Sequence, residues 1–258
     1  MRKILEIYEY RTMVSSLIKR DLRGRYKGSV LGFAWTFINP LLQLLVYTLV
    51  FSTIMRSGIE DYYLFLFVAL IPWLFFSSSL TGGAGCVLSQ KNLVEKIYFP
   101  REVLPIAHVT SQLVNMLLSF LVVFAALIVS GKGINAFLLP YLIPIVIVEY
   151  LLALGMAFIA SSLTVYFRDL EYILGVITMA WQFLSPVMYS VDMVPESLRK
   201  IFMLNPMTSI IIAYRDVLYY KQQPQLSTLL LAMTLGVVLL IIGWILFEKL
   251  QKHFVEEM

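Results

Sequence analysis

Six long apolar runs, separated by short polar connections, decide what this chain can become. They lie at roughly 29–55, 62–86, 103–130, 137–165, 172–190 and 226–247, and Glu149 is the single Asp, Glu, Lys or Arg within them. About 18 or more apolar residues in succession are enough to carry a helix across the hydrocarbon core of a bilayer. Inside that core the backbone must satisfy its own hydrogen bonds, which leaves helices as the solution for runs of this kind. The expected fold class is therefore all-α integral membrane, with six transmembrane helices in a single transmembrane domain over residues 1–258. The composition agrees: the chain is 60% hydrophobic and only 14% charged, against about a quarter charged in a soluble domain. The fifth run is the shortest and needs help from the segment after it to cross.

Charge sets the orientation. With the N-terminus inside, eight Lys/Arg at the N-terminus, three in 87–102, one in 166–171 and two at the C-terminus place fourteen on the cytoplasmic side and six outside. That bias predicts an N-in/C-in topology. No internal repeat is visible, so a symmetric path would require a second copy of the chain. The single cysteine, Cys86, excludes an intramolecular disulfide, and His108 and His253 are too far apart in sequence to suggest a metal cluster. The basic, polar stretch before the first apolar run does not fit a cleavable signal peptide.

Three polar segments carry amphipathic patterns. In 1–28, Ile4, Leu5, Tyr8, Val14, Leu17, Ile18 and Leu22 recur at helical spacing opposite a basic face, the pattern of a helix lying in the membrane interface. The island 87–100 between the second and third spans places Leu93, Ile97 and Tyr98 on one helical face, with Lys91, Glu95 and Lys96 elsewhere, until Pro100 stops the helix. Residues 191–225 hold two pieces too short to span. The first begins at Pro195 and shares Leu198, Ile201 and Phe202 on a face; Asn205-Pro206 breaks it, and the second carries Ile210, Ile211, Tyr214, Val217 and Leu218. They read as a re-entrant hairpin or lid on the outer side, or as two helices packed on the outer bundle face.

Polar residues recur at three- and four-residue steps within the membrane: Gly32, Thr36, Asn39, Gln43 and Tyr47 in the first span; His108, Ser111, Gln112, Asn115 and Ser119 in the third; Thr178, Gln182, Ser185 and Tyr189 in the fifth. Each set lies on one helix face, and an amide does not face hydrocarbon, where an unpaired polar group costs several kcal/mol. The third stripe reads as hydrogen bonding between helices. For the first and fifth, a path for a polar solute and plain interhelical bonding both fit. Trp35 and its aromatic neighbours suit either sugar stacking or packing. Glu149 reads as structural or solvated, since no Lys or Arg lies within the spans to pair with it. Neither a phosphate-binding G-x-x-x-x-G-K-[ST] loop nor a cluster of catalytic acids or histidines is present. If energy drives this protein, another chain supplies it, and no cofactor is expected on this one.

Four stretches, RDLRGRYKGSVLGFAWTFINPLLQLLVYTLVF (20–51), KIYFPREVLPIAHV (96–109), YFRDLEYILGVITMAWQFLSPVMYS (166–190) and IFMLNPMTSIIIAYRDVLY (201–219), resemble the membrane subunit of the polysaccharide-exporting ABC transporters, the O-antigen and teichoic-acid group. Capsule exporters are similar in outline but match RYKGSVLG less well. The resemblance implies a six-helix ABC-2 fold and a homodimer bound to two separate ABC ATPase subunits, which would carry the ATP and Mg. It implies export of a lipid-linked polysaccharide, on a polyprenyl diphosphate carrier, along a path lined by the first and fifth spans. Trp35, Thr36, Asn39, Gln43, Tyr47, Thr178, Gln182, Ser185 and Tyr189 are the expected path residues. Arg20, Arg23, Arg25 and Lys27 stand where anionic headgroups lie and are expected either to attract a diphosphate or to serve as positive-inside anchors. Lys91, Leu93, Val94, Glu95, Lys96, Ile97, Tyr98 and Phe99 would contact the ATPase. Pro195, Ile201, Phe202, Asn205, Pro206, Tyr214 and Arg215 would form the outer gate. Membrane lipids are the remaining expected partner, and nucleic acid is not one. Competing readings are an ABC-2 permease for a drug or lipid, an intramembrane enzyme acting on polyprenyl-linked sugars, and a scaffold; the last two predict no stimulation of an ATPase.

Overall fold

A computed structural model describes residues 2–24 and 30–258. Among them there is no strand. The helices are α1 (Arg2–Glu9), α2 (Arg11–Gly24), α3 (Trp35–Thr48), α4 (Tyr62–Gly85), α5 (Lys91–Lys96), α6 (Val103–Val129), α7 (Leu142–Tyr166), α8 (Leu170–Phe183), α9 (Glu196–Leu204), α10 (Pro206–Arg215), α11 (Leu226–Leu250) and α12 (Phe254–Glu257). A wider π-turn prolongs α3 over Leu49–Ile54. Five helices are long and apolar enough to cross a membrane, or six if the bent pair α9–α10 counts as one broken span.

The bundle is built around α4. Its sequence is apolar on every face, and a helix of that kind belongs in an interior. Every residue from Leu64 to Trp73 is buried. Helices α3, α6, α7, α8 and α10 pack against it. Behind it, α7 and α11 approach until their backbones touch. A Cβ on Gly155 would lie 2.6 Å from the Leu240 nitrogen, and one on Gly243 would collide with the Gly155 carbonyl oxygen. Small residues at a helix crossing permit this approach.

Two polar ends bracket the bundle. At one, Lys3 of α1 bridges Glu248 of α11 (2.8 Å) and Glu102 (3.5 Å), and Gln251 Nε2 donates to Glu102 Oε1 at 2.6 Å. Burial disfavours the charge on Lys3, but Glu248 and Glu102 outweigh it and raise its pKa. At the other end, Lys132 bonds Asp61 (3.2 Å) and sits 4.1 Å over the Tyr219 ring, and Tyr219 donates to the Glu60 carbonyl. Both termini lie at the first end.

The structure departs from the expected elements in four places. The fifth run is not a span-length helix: α8 holds 14 residues and yields to turns over 184–188. Pro186 explains this, because its ring would meet the carbonyl four residues back and it disfavours helix at Ser185. The interfacial N-terminal helix is two helices, broken at Tyr10, with Leu17 of α2 buried and α2 packed on α6. The helix of the 87–100 island stops at Lys96, because Ile97 turns extended (φ −131°, ψ 135°). Its inward residue is Val94 rather than Ile97 or Tyr98. Of the two short helices after α8, α9 is exposed along one side, but α10 is buried, with Met207, Ile210, Ile211, Ala213, Tyr214 and Arg215 all in the core.

Candidate functional site

The polar stripe of α3 does not face α8 across a common space in this chain. It faces α6. Trp35, Thr36, Asn39 and Gln43 of α3, Phe75 and Ser78 of α4, and Gln112, Asn115 and Ser119 of α6 line one open-sided cleft of about 100 Å³. Pro40 helps to make it. Proline has no N–H to give the Thr36 carbonyl four residues back, and the Ser119 hydroxyl donates to that carbonyl instead, at 3.4 Å. Gln43 Nε2 donates to Asn39 Oδ1 at 3.4 Å, while Asn39 itself is exposed. Neither atom of the Asn115 amide has a partner among the described residues, although both are shut off from solvent. Tyr47, one turn further along, packs against the core edge outside the cleft.

Below the cleft lies a second cavity of about 500 Å³, lined by Arg20 and Asp21 of α2, Gly82, Gly85 and Cys86 at the end of α4, His108 of α6 and Glu171 of α8. His108 Nε2 donates to the Ser78 carbonyl at 3.3 Å, and Gln112 Nε2 lies 3.5 Å from the same ring nitrogen. One layer of side chains, His108 and Gln112, thus separates the charged cavity from the uncharged cleft. The glycines are needed here. A Cβ on Gly82 would sit 2.8 Å from the His108 ring, and one on Gly85 would sit 3.2 Å from the Glu171 carboxylate. Arg20 therefore shares its cavity with two carboxylates. Arg23 is exposed at the end of α2, and Arg25 and Lys27 lie outside the described residues.

The residues of α8 and those expected at the outer gate meet in a densely hydrogen-bonded joint, in which Thr208 Oγ1 and Ser209 Oγ of α10 have no partner among the described residues. The Asn205 side chain caps α10 by accepting from the Met207 N–H (3.1 Å), accepts from Trp181 Nε1 (3.1 Å), and donates to Ser185 Oγ (2.9 Å) and the Leu184 carbonyl (3.3 Å). Pro206 opens α10 at its first position, where no N–H is needed. The axes of α9 and of the segment Pro206–Tyr220 meet at 96°. Pro195 caps the start of α9, whose Ile201 is exposed, and Ile201 and Phe202 line an apolar groove with Ile177, Trp181 and Leu184.

Arg215, only 2% exposed, lies at the heart of this joint. Its Nη1 donates to Pro186 O (2.6 Å) and Tyr189 O (3.2 Å), its Nη2 to Val187 O (2.7 Å) and its Nε to Phe65 O (3.3 Å). Its guanidinium stacks 3.5 Å over the Phe65 ring. The Tyr62 hydroxyl takes the remaining carbonyl, Met188 O, at 2.7 Å. Non-helical backbone at membrane depth must find such partners; in 186–189 every carbonyl has one. Beside it, Tyr214 donates to Glu149 Oε2 at 2.7 Å and stacks on Phe120. Of the other path residues expected from the fifth run, Thr178 bonds back to Leu174 O, Gln182 is half-buried, and Tyr189, beyond the end of α8, donates to Phe183 O.

At the end shared by the termini, Val94 and Phe99 anchor the α5 segment in the core, while Ile97 and Tyr98 stand exposed, Tyr98 by 84%. Leu93 is half-buried, and Lys91 pairs with Glu95 at 3.6 Å across one helical turn. Lys96 is exposed. Beside the exposed pair, Lys3, Glu6, Arg101, Glu102 and Gln251 line a groove of about 360 Å³.

The Gln112–Asn115 contribution to the cleft escaped sequence reasoning, because a helical stripe reveals a face and not the helix opposite. Arg215 is among the expected outer-gate residues and the outer charges, but its burial among backbone carbonyls escapes that reading. The one available signal is its place in the run 210–218, whose only other charge is Asp216.

The family model described as the ABC-2 type transporter membrane domain matches residues 12–219, from α2 through the turn after α10. The chain is 34% identical over 258 residues to the O-antigen export system permease protein RfbA of Myxococcus xanthus, covering 99% of both chains. It is 32% identical to the protein of that name from Klebsiella pneumoniae, over 93% of this chain and 92% of that one. The polysialic acid transport protein KpsM of Escherichia coli is 23% identical over 79% of this chain and 80% of its own. Together with a helical bundle holding five to six membrane-crossing segments, these matches establish that the chain belongs to the ABC-2 type transporter family of membrane proteins.

Proposed function

We propose that this chain is the permease subunit of an ATP-driven exporter that moves a lipid-linked polysaccharide of the O-antigen kind, on a polyprenyl diphosphate carrier, out across a bacterial inner membrane. It works as a homodimer with two copies of a separate ABC ATPase. The observation that carries this reading is the end-to-end similarity, above 30% identity, to permeases named for O-antigen export. Two features of the molecule support it. Asn39 is exposed on a helix long and apolar enough to cross a membrane, which calls for a second copy or a polar path on that side. Ile97 and Tyr98, held out from an anchored loop, offer an ATPase an apolar grip beside charged residues of α1 and α11.

Co-purification with the ATPase encoded alongside, followed by ATP turnover in nanodiscs, tests it. Val94→Pro should break α5, and Ile97→Asp should abolish the grip without touching the core; both should collapse permease-dependent turnover. A preparation that neither binds nor stimulates the ATPase would overturn the reading.

A further inference from the structure

The cleft between α3, α4 and α6 differs in its chemistry from the other cavities described above. Among the described residues it is lined by four amides, several hydroxyls and two aromatic rings, and by no charged side chain. An amide offers both a donor and an acceptor, which suits a ligand whose own groups do both. The absence of any lining cation makes the cleft a poor place for a phosphate. The charges lie one layer away, around Arg20, Asp21 and Glu171. The Asn115 amide, sealed from solvent with neither atom bonded among the described residues, leaves donor and acceptor capacity that costs about 1–3 kcal/mol to keep unused. Trp35, partly exposed at the side of the cleft, supplies an apolar face of the kind that packs on the C–H side of a sugar ring.

We propose that this cleft, inside one protomer, binds a single neutral, polyhydroxylated ring: one uncharged sugar residue of the exported chain. Asn115 and Gln112 bond its hydroxyls from α6, Asn39 and Gln43 from α3, and Trp35 packs on its face. The proposal rests on the export reading and adds to it a substrate contact within a subunit. About 100 Å³ is the scale of one ring, not of a stretch of polymer. A layer of His108 and Gln112 stands between this site and the charged cavity below, so the anionic end of a lipid-linked sugar stays out of the cleft while its neutral sugar enters.

The test uses cysteine protection in the full chain in nanodiscs, in a Cys86→Ser background. Ser119→Cys reports from α6 and Ser78→Cys from α4, both in the cleft lining and neither assigned a bond to the sugar, so that a folding failure of one leaves the other. Each is labelled with a membrane-impermeant methanethiosulfonate, alone and with the methyl glycosides of glucose, galactose, mannose and rhamnose, and with inorganic pyrophosphate. A glycoside at about ten times its Kd should slow labelling about tenfold, because only the unoccupied fraction reacts. Pyrophosphate should not slow it, and Val176→Cys, on the exposed face of α8, should label at one rate throughout. Cysteines that never react, protection by none of the glycosides, or equal protection by pyrophosphate would each overturn the proposal. ATPase co-purification on the same preparations separates the two readings. An intact complex without protection removes only the sugar site. Protection without a complex removes the exporter and keeps a sugar-binding protein.

Discussion

Both α10 and α3 bring polar side chains into apolar surroundings, and they treat them in opposite ways. Around α10 the groups with several bonds to make are used, although the Thr208 and Ser209 hydroxyls and Glu149 Oε1 have no partner among the described residues. Arg215 serves four carbonyls, Asn205 makes four bonds, and Tyr214 closes on Glu149. Along α3, Asn39 is exposed and across from it Asn115 is unpartnered among the described residues. Saturated polar groups fix one arrangement of backbone, because breaking any bond leaves a buried group stranded. Unsaturated ones cost stability in the isolated chain and are kept only where something else completes them. The α8–α10 joint is therefore the better braced of the two, and under the proposed function the α3 side is where partners and solute belong.

The sharpest way to break this contrast is at Arg215. Arg215→Leu strands the four carbonyls it serves, at about 1–3 kcal/mol each when buried. It should abolish monodisperse protein or lower the unfolding midpoint steeply, and Arg215→Lys should rescue little, since a point charge cannot replace the fork. A normal melting curve for the Leu variant would show that the joint is not what fixes this region. Next comes Gly155→Leu. Its side chain would drive into the Leu239–Leu240 backbone, and overpacking of this kind costs about 1–3 kcal/mol or more; thermal unfolding in nanodiscs reads the loss.

Glu149 gives a finer test. Glu149→Gln keeps an acceptor for Tyr214 and should change stability by less than about 1 kcal/mol with export retained, whereas Glu149→Leu orphans the hydroxyl and should cost about 1–3 kcal/mol. Loss of export in the Gln variant with stability intact would convert this residue from structure to proton transfer. The smallest stability effect is expected at Asn39. Asn39→Leu should leave the midpoint within about 0.5 kcal/mol, as for an exposed site, while export slows. An unchanged export rate would remove the α3 stripe from the path.

Much of the fold could be read from the sequence, and the limits have physical causes. Long apolar runs revealed α4, α6, α7 and α11 to within a few residues. The fifth run misled because apolar content says nothing of where a helix ends; Ser185-Pro186 carried that information. Asn205-Pro206 was correctly a break, since its chemistry is local. That α10 turns into the core was not legible, because burial of a short helix depends on whether something satisfies its cation, and the carbonyls that do so come from a segment some 26 to 29 residues away and from Phe65. The α3 stripe was found, but its opposite wall was not: a period gives direction around one axis and is silent about neighbours.

The crossing of α7 and α11 has a mechanical consequence. Where two helices meet through side chains, rotamer changes give the contact lateral play. At Gly155 and Gly243 backbone meets backbone, and there is no compliant layer to absorb a slip. The end of α11 beside the termini is also held, through Glu248 and the adjoining Gln251, to Lys3 and Glu102 at the foot of the loop that displays Ile97 and Tyr98. A push on that loop is thus delivered to a stiff double rod rather than to a soft bundle. It arrives across the membrane as translation or tilt, undiminished by local repacking.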